Sequence, residues 1–249
     1  MKYFLIIVMS FILSACSADW TPDCFRKEGE IISKEIALVN FEEIEVHAGV
    51  ELFLSKANTQ KVVLETGENL AEDITFKLVG NKLVIKNKNT CNFVRDYKVT
   101  KVYIESPDLK VIRNASSWTI NSLNTLTYDT LQLISEDASL GDTVKTDGDF
   151  DLDLQCNSLT IVSNGLSDYF LDGEVANFSI NFYSGDGRLE SENLLAENIE
   201  VYHRGSNTMV INPQQSLIGK IVSTGNILAK NEPPLVQVEE LYTGRLLFE

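Results

Sequence analysis

Four stretches decide the fold: Leu159-Thr160-Ile161-Val162-Ser163-Asn164-Gly165, Phe178-Ser179-Ile180-Asn181-Phe182-Tyr183-Ser184, Ile199-Glu200-Val201-Tyr202-His203-Arg204-Gly205 and Gly219-Lys220-Ile221-Val222-Ser223-Thr224-Gly225. In each, a hydrophobe in a period-two pattern stands four residues before a Gly or Ser turn. The same relation joins Ile112 to Ser116 and Leu133 to Asp137, and Gly244 offers a seventh turn, although Glu240 stands where the hydrophobe is due. Successive turns are 21, 28, 19, 21, 20 and 19 residues apart. A repeat near twenty residues, with two short strands in each, predicts a β-solenoid: one coil is too small to bury its own apolar side chains and must stack on the next, about 4.8 Å away. Small residues recur at the turns because the chain reverses there, often with positive φ. The interval of 28 residues reads as an insertion over Asp142 to Asp153 that bulges from one coil.

Outward from these repeats the period remains two. Ile44 and Val46 alternate with Glu43 and Glu45; Val50, Leu52 and Leu54 follow; Ile74, Phe76 and Leu78 alternate with Thr75 and Lys77. Gly80-Asn81 suits a hairpin turn into the strand Lys82 to Lys86, and Val102 with Ile104 forms another strand ending at Ser106-Pro107-Asp108. No stretch carries a helical period. The chain is expected to be all-β: a solenoid domain over 36–249, with an N-terminal β region and cap at 36–110 and repeated coils closed by a C-terminal cap at 111–249. At the C-terminal end, Pro233 and Pro234 cannot donate to a further strand and the acidic residues after them discourage growth.

The first fifteen residues have another purpose. Lys2 precedes an apolar run from Tyr3 to Leu13, too short to span a bilayer and of the right length for a secretory signal. Leu13-Ser14-Ala15-Cys16 resembles the end of a bacterial lipoprotein signal, in which Cys16 is acylated and becomes the mature N-terminus. Each buried CH₂ of an acyl chain contributes roughly 0.8 kcal/mol, so two or three chains hold a protein on a membrane. Residues 16–35 read as a tether. Ser17 is not the aspartate that retains such lipoproteins at the inner membrane, which favours the outer membrane.

A net charge of −15 repels phosphate backbones and anionic headgroups, which argues against nucleic acid and against a polybasic membrane contact. With 44% hydrophobic residues a sizeable core is available. Setting Cys16 aside for lipid leaves three cysteines in an oxidising compartment. Cys156 follows Leu152 and Leu154 at period two and reads as a small core residue. Cys24 and Cys91 lie in polar, irregular stretches and are available to pair; the alternative is two free thiols.

The chain resembles the family of auto-transporter adhesins with a head GIN domain, found among Gram-negative lipoproteins of unknown function. The resemblance spans Phe41 to about Lys230. It is carried by Phe41-Glu42-Glu43-Ile44-Glu45-Val46, Gly80-Asn81-Lys82-Leu83-Val84-Ile85, Ser106-Pro107-Asp108-Leu109-Lys110-Val111-Ile112 and Ser223-Thr224-Gly225-Asn226-Ile227. The family usually repeats Gly-Ser-Gly at its turns; here they have drifted to Asn114-Ala115-Ser116-Ser117, Tyr183-Ser184-Gly185-Asp186 and Arg204-Gly205-Ser206-Asn207. The resemblance implies a right-handed β-helix, a pectin-lyase-like shape, homotrimers and an adhesive role.

Residues with catalytic potential are sparse. His47 and His203 have no zinc-ligand spacing and no nucleophile beside them. The run Asp147-Gly148-Asp149-Phe150-Asp151-Leu152-Asp153 puts alternate carboxylates on one face, which suits calcium but equally describes a solvated face opposite Phe150, Leu152 and Leu154. Asp186 with Arg188, or Glu190 with Glu192, are the nearest approach to an acid–base pair. Tyr169, Phe182, Tyr183 and Tyr202 fall in neighbouring repeats, as a sugar-binding strip or a core ladder. The reading is a lipid-anchored binding or adhesion module of the outer membrane, with a glycan or protein ligand and no metal, cofactor or catalysis. The rivals are a carbohydrate-active enzyme and a passive structural lipoprotein.

Overall fold

The computed structural model describes residues 25–89, 91, 99–137 and 144–249. Cys16 and Cys24, on which the anchor and the disulfide expectations fall, lie outside them. The strands begin with β1 (Ile31–Glu35), β2 (Glu43–His47), β3 (Glu51–Lys56), β4 (Lys61–Gly67), β5 (Ile74–Val79), β6 (Lys82–Asn87) and β7 (Lys101–Ser106). They continue with β8 (Val111–Ala115), β9 (Ile120–Ser122), β10 (Leu126–Ser135), β11 (Phe150–Ser163), β12 (Tyr169–Phe182) and β13 (Leu189–His203). β14 (Met209–Ile221), β15 (Ile227–Ala229), β16 (Leu235–Glu240) and β17 (Leu246–Phe248) complete the set. All of them belong to one curled sheet around a single core.

From β8 onward, every pairing is parallel, and its register makes like fall on like. Ile112 pairs with Leu133, Leu133 with Ile161, Ile161 with Ile180 and Ile180 with Val201, all buried. The spacing rule thus finds the ladder correctly as far as Val201. Its next partner is Gly219, however, and Ile221 pairs with His203. Two short strands per repeat also proves too fine a division, because β11 to β14 run unbroken for 13 to 15 residues.

These long strands bend without breaking because the side-chain alternation slips by one residue. In β11 the buried positions are Phe150, Leu152, Leu154 and Cys156, then Leu159, Ile161 and Ser163. Two successive residues, Asn157 and Ser158, take the outer side between them. Without that slip the second half of the strand would turn its apolar set to water. β12 does the same at Ala176-Asn177.

Between strands the chain reverses on glycine. Gly165, Gly185, Gly205, Gly225 and Gly244 stack at the turns, where the Gly165 carbonyl accepts from the Asp186 amide (3.0 Å) and the Gly205 carbonyl from the Gly225 amide (3.1 Å). Gly185 adopts φ of +95°, and a Cβ there would collide with the Gly165 carbonyl oxygen. Only glycine meets both demands. The turn in the second stretch is thus centred on Gly185 and not on Ser184. The extra residues between β10 and β11 lie after Ser135 and before Phe150; Asp151 and Asp153 are already inside β11.

The N-terminal region is part of the same sheet. β2 and β3 pair in parallel with β8 and β9, and β6 and β7 pair in parallel with β2 and β3, so no seam falls at residue 110. β5 then adds antiparallel to β6, β4 to β7 and β1 to β4. β1, Ile31–Glu35, thus lies within the stretch 16–35 expected to be a tether. The tail is not a cap either: β16 continues β14 and β17 continues β15 in parallel.

His203 closes the buried end of β13. Its Nδ1 accepts from the Gly205 amide (3.3 Å), which leaves the proton on Nε2, 3.0 Å from the Asn207 carbonyl oxygen. Desolvation holds its pKa below the ordinary value, opposed by the Asn207 bond. The unfolded chain therefore takes up a proton at a higher pH than the folded one, and stability falls on acidification from about pH 6.5 down to the folded pKa. The urea midpoint should drop between pH 7.5 and pH 5.5, and His203→Gln should flatten part of that drop; a slope identical in the two proteins would contradict the assignment.

Candidate ligand-binding face

The outer side of the bends holds a cleft of about 640 Å³. Thr127, Gln155, Glu174 and Leu195 stand in one ladder along its wall, and Asp129, Asn157, Glu197 and Gln214 line it beside them. It opens where the register breaks. β13 carries three residues more than β14 between the pairs Glu190–Val210 and Leu195–Asn212, and this bulge turns Leu195 and Glu197 outward. Tyr128, Cys156 and Val175 form the buried floor.

A second, smaller hollow of about 220 Å³ continues round the bend through Asn177, Asn198, Ser216, Ser179 and Glu200. Ser158, Asn177, Asn198 and Ser216 are register partners there. Ser216 donates to Asn198 Oδ1 (2.8 Å), and the Asn157 amide donates to Asp129 Oδ1 (2.5 Å). Beyond it along β12 the outer side chains are Ser179 and Asn181, and Tyr183 follows the strand's end. Tyr183 and Tyr202 pack with ring centroids 5.7 Å apart at 46°. From Asn177 to Tyr183 is roughly 20 Å of extended chain.

The four aromatics of the sequence reading thus divide. Tyr169 and Phe182 are core residues: Tyr169 stacks on Phe150 at 5.0 Å, Phe182 tilts against it at 5.6 Å, and His203 meets Phe182 edge-on. Tyr183 and Tyr202 share the outer face. The alternation after each bend separates the two pairs: past the slip at Ala176-Asn177, Phe182 falls on the buried side and Tyr183 on the outer side, and spacing alone does not reveal it.

The face offers acceptors and donors but no reactive pair. Burial pushes the Cys156 thiol up to about 11, so it stays protonated at neutral pH and is a poor nucleophile. Asp186 accepts from the Ser206 hydroxyl and so braces a turn, and the Arg188 backbone amide donates to Asp168 (2.9 Å). The Glu192 carboxylate lies 3.8 Å from Lys230 Nζ. His47 bonds Glu45 Oε1 at 2.8 Å, and that bond, with Lys82 on the other oxygen, holds the Glu45 carboxyl down at about 2.

In the acidic run, Asp147 accepts from Ser117 (2.8 Å), Asp149 from the Asp168 amide (2.9 Å) and Asp153 from Thr125 (2.6 Å), while Asp151 and Asp153 face solvent. Among the described residues no group of three or more His, Cys, Asp or Glu is placed to hold a metal ion. Cys156 is a free, buried thiol and Cys91 is disulfide-bonded. No helix among the described residues is long and apolar enough to cross a membrane.

Comparison with known proteins agrees with this picture. The family model "Putative auto-transporter adhesin, head GIN domain" matches residues 40–233, and the chain belongs to that family. A solved putative adhesin from Bacteroides fragilis is similar over 90% of this chain and 99% of its own, with 20% identity and a TM-score of 0.77. A putative adhesin from Parabacteroides distasonis covers 90% and 99% at 17% identity, TM-score 0.63. A putative lipid binding protein from the same organism covers 88% and 97% at 16% identity, TM-score 0.60. At these identities the likeness is one of fold. No curated protein matches the sequence.

Proposed function

We propose that this chain is a lipid-anchored envelope protein that acts as a binding or adhesion module and carries out no reaction on its ligand. In this reading Cys16 carries the acyl chains, the protein sits on the outer membrane, Cys24 pairs with Cys91, and the sheet winds as a right-handed β-helix of short coils. The observation that carries the binding role is the continuous outer face from the cleft to Tyr183 and Tyr202. Its carboxamides, hydroxyls and carboxylates are groups that exchange hydrogen bonds with hydroxyl-rich ligands, and a tyrosine pair can stack on a sugar ring. Asp129, Glu174 and Glu197 disfavour polyanions, so the ligand is an uncharged glycan lying along β12 and β13.

Neutral oligosaccharides presented on an array should retain the purified protein, and Tyr202→Ala should weaken retention about tenfold or more while leaving the urea midpoint nearly unchanged. Retention by acidic glycans alone, or equal retention by the variant, would count against the face. For the anchor, labelled palmitate should enter the wild-type protein and not Cys16→Ser; equal labelling of the two would remove it.

A further inference from the structure

We infer that the C-terminal end of the sheet is an interface for a second copy of this chain, joined tail to tail about a two-fold axis. The two ends of the core differ. At the N-terminal end, Val62, Leu64 and Ile74 in the added antiparallel strands β4 and β5 are still only 2%, 2% and 6% exposed, with Leu70 and Phe41 packed beside them. At the other end the ladders simply stop. Val236 pairs with buried Leu217 and Phe248 with buried Ala229, so both point along the core, yet they are 36% and 40% exposed. Leu235, Leu247, Leu241 and Tyr242 around them are exposed by 44% to 61%. Among the described residues no strand pairs with the outer edge of β16.

Three observations select a second copy as the occupant. The first is charge. In a chain of net charge −15, the carboxylates of the last two strands and the residues beside them are matched: Glu239 to Lys220 (3.7 Å), Glu240 to Arg245 (3.5 Å) and Glu249 to Lys230 (2.7 Å), with Glu232 in the connection before β16 outside these pairs. Two such ends approach without the repulsion that the rest of the surface imposes. The second is geometry. The N-terminal end closes in antiparallel strands and its exposed apolar residues are Phe25, Ile31, Val39 and Val79, whereas the edge of β16 can pair with its own copy, which favours the isologous arrangement, and that closes at two copies. Antiparallel pairing of two β16 strands would set the Glu239-Glu240 half of one against the Leu235-Val236 half of the other, so like charges are not opposed. The third is size. Six half-exposed large side chains present on the order of 500 Å² per copy, so a symmetric pair buries about 1,000 Å², the scale of a specific interface.

The full chain carrying Cys16→Ser, which keeps it free of acyl groups, allows the test at tens of micromolar. Light scattering should give twice the chain mass. X-ray scattering should show a maximum dimension close to twice that of one chain, since the copies add along the stacking direction. Val236→Glu with Phe248→Glu should return the single-chain mass with an unchanged strand signal in circular dichroism. A single-chain mass for the protein without those two substitutions would overturn the proposal. So would the side-by-side trimer that the family resemblance implies, or a dimer whose maximum dimension does not lengthen. Should the double variant fail to fold, the mass and length of the parent chain decide the matter alone.

Discussion

Most of this molecule depends on one constraint: apart from the added antiparallel strands β1, β4 and β5, each strand must lie parallel to its neighbour with apolar residue over apolar residue. The ladder Leu83, Ile44, Ile112, Leu133, Ile161, Ile180, Val201 runs through seven strands, and every member is buried. Burying such a side chain stabilises by about 1.5–3 kcal/mol, and no single strand achieves that alone. The chain must therefore return to the same place after each strand. The glycines at the turns follow from this, since backbones that stack so closely leave no room for a Cβ at Gly185. Length differences between repeats are pushed where they do least harm: into the connection before β11, or into the bulge of β13.

That displacement of irregularity is also where the functional surface arises. The regular parts of β11 and β12 keep a constant offset of 19 residues. The cleft lies where β13 and β14 depart from it, and the side chains that line it are ones the core does not need. Outer positions are free to vary in charge: Asp151, Asp153, Asp172 and Glu174 sit on the outer side before the bend, whereas Ser179, Asn181 and the tyrosine pair sit beyond it. That stretch of β12 is uncharged, with Glu200 of β13 the carboxylate beside it, and on an acidic protein it is a natural place for a neutral ligand, just as the charge-matched C-terminal end suits a second copy.

Much of the fold was legible because a parallel stack writes its period into the sequence. The offsets of 21, 28, 19 and 21 that follow from Ile112, Leu133, Ile161, Ile180 and Val201 are those of the observed register. The reading slips at Ile221 because the three-residue bulge in β13, less one extra residue in β14, shifts the count by two, and a glycine at 219 hides the true ladder position. It missed that β2, β3, β6 and β7 belong to the stack, because β2–β3 sits between β6–β7 and β8–β9, out of chain order. It placed a cap at the tail because Pro233 and Pro234 look like terminators, while the apolar residues beyond them build two more parallel strands. The candidate face is legible only in pieces: Tyr183 and Tyr202 stand out, but the one-residue slip at Ala176-Asn177 that turns Phe182 inward and Tyr183 outward does not.

The stacking itself is most directly tested by methyl nuclear Overhauser spectroscopy on protein labelled at Ile, Leu and Val. The account predicts strong cross-peaks linking Ile112 to Leu133, Leu133 to Ile161, Ile161 to Ile180 and Ile180 to Val201, residues far apart in sequence and one strand spacing, about 4.8 Å, apart in space. Absence of the Ile161–Ile180 and Ile180–Val201 peaks in a folded sample would contradict it.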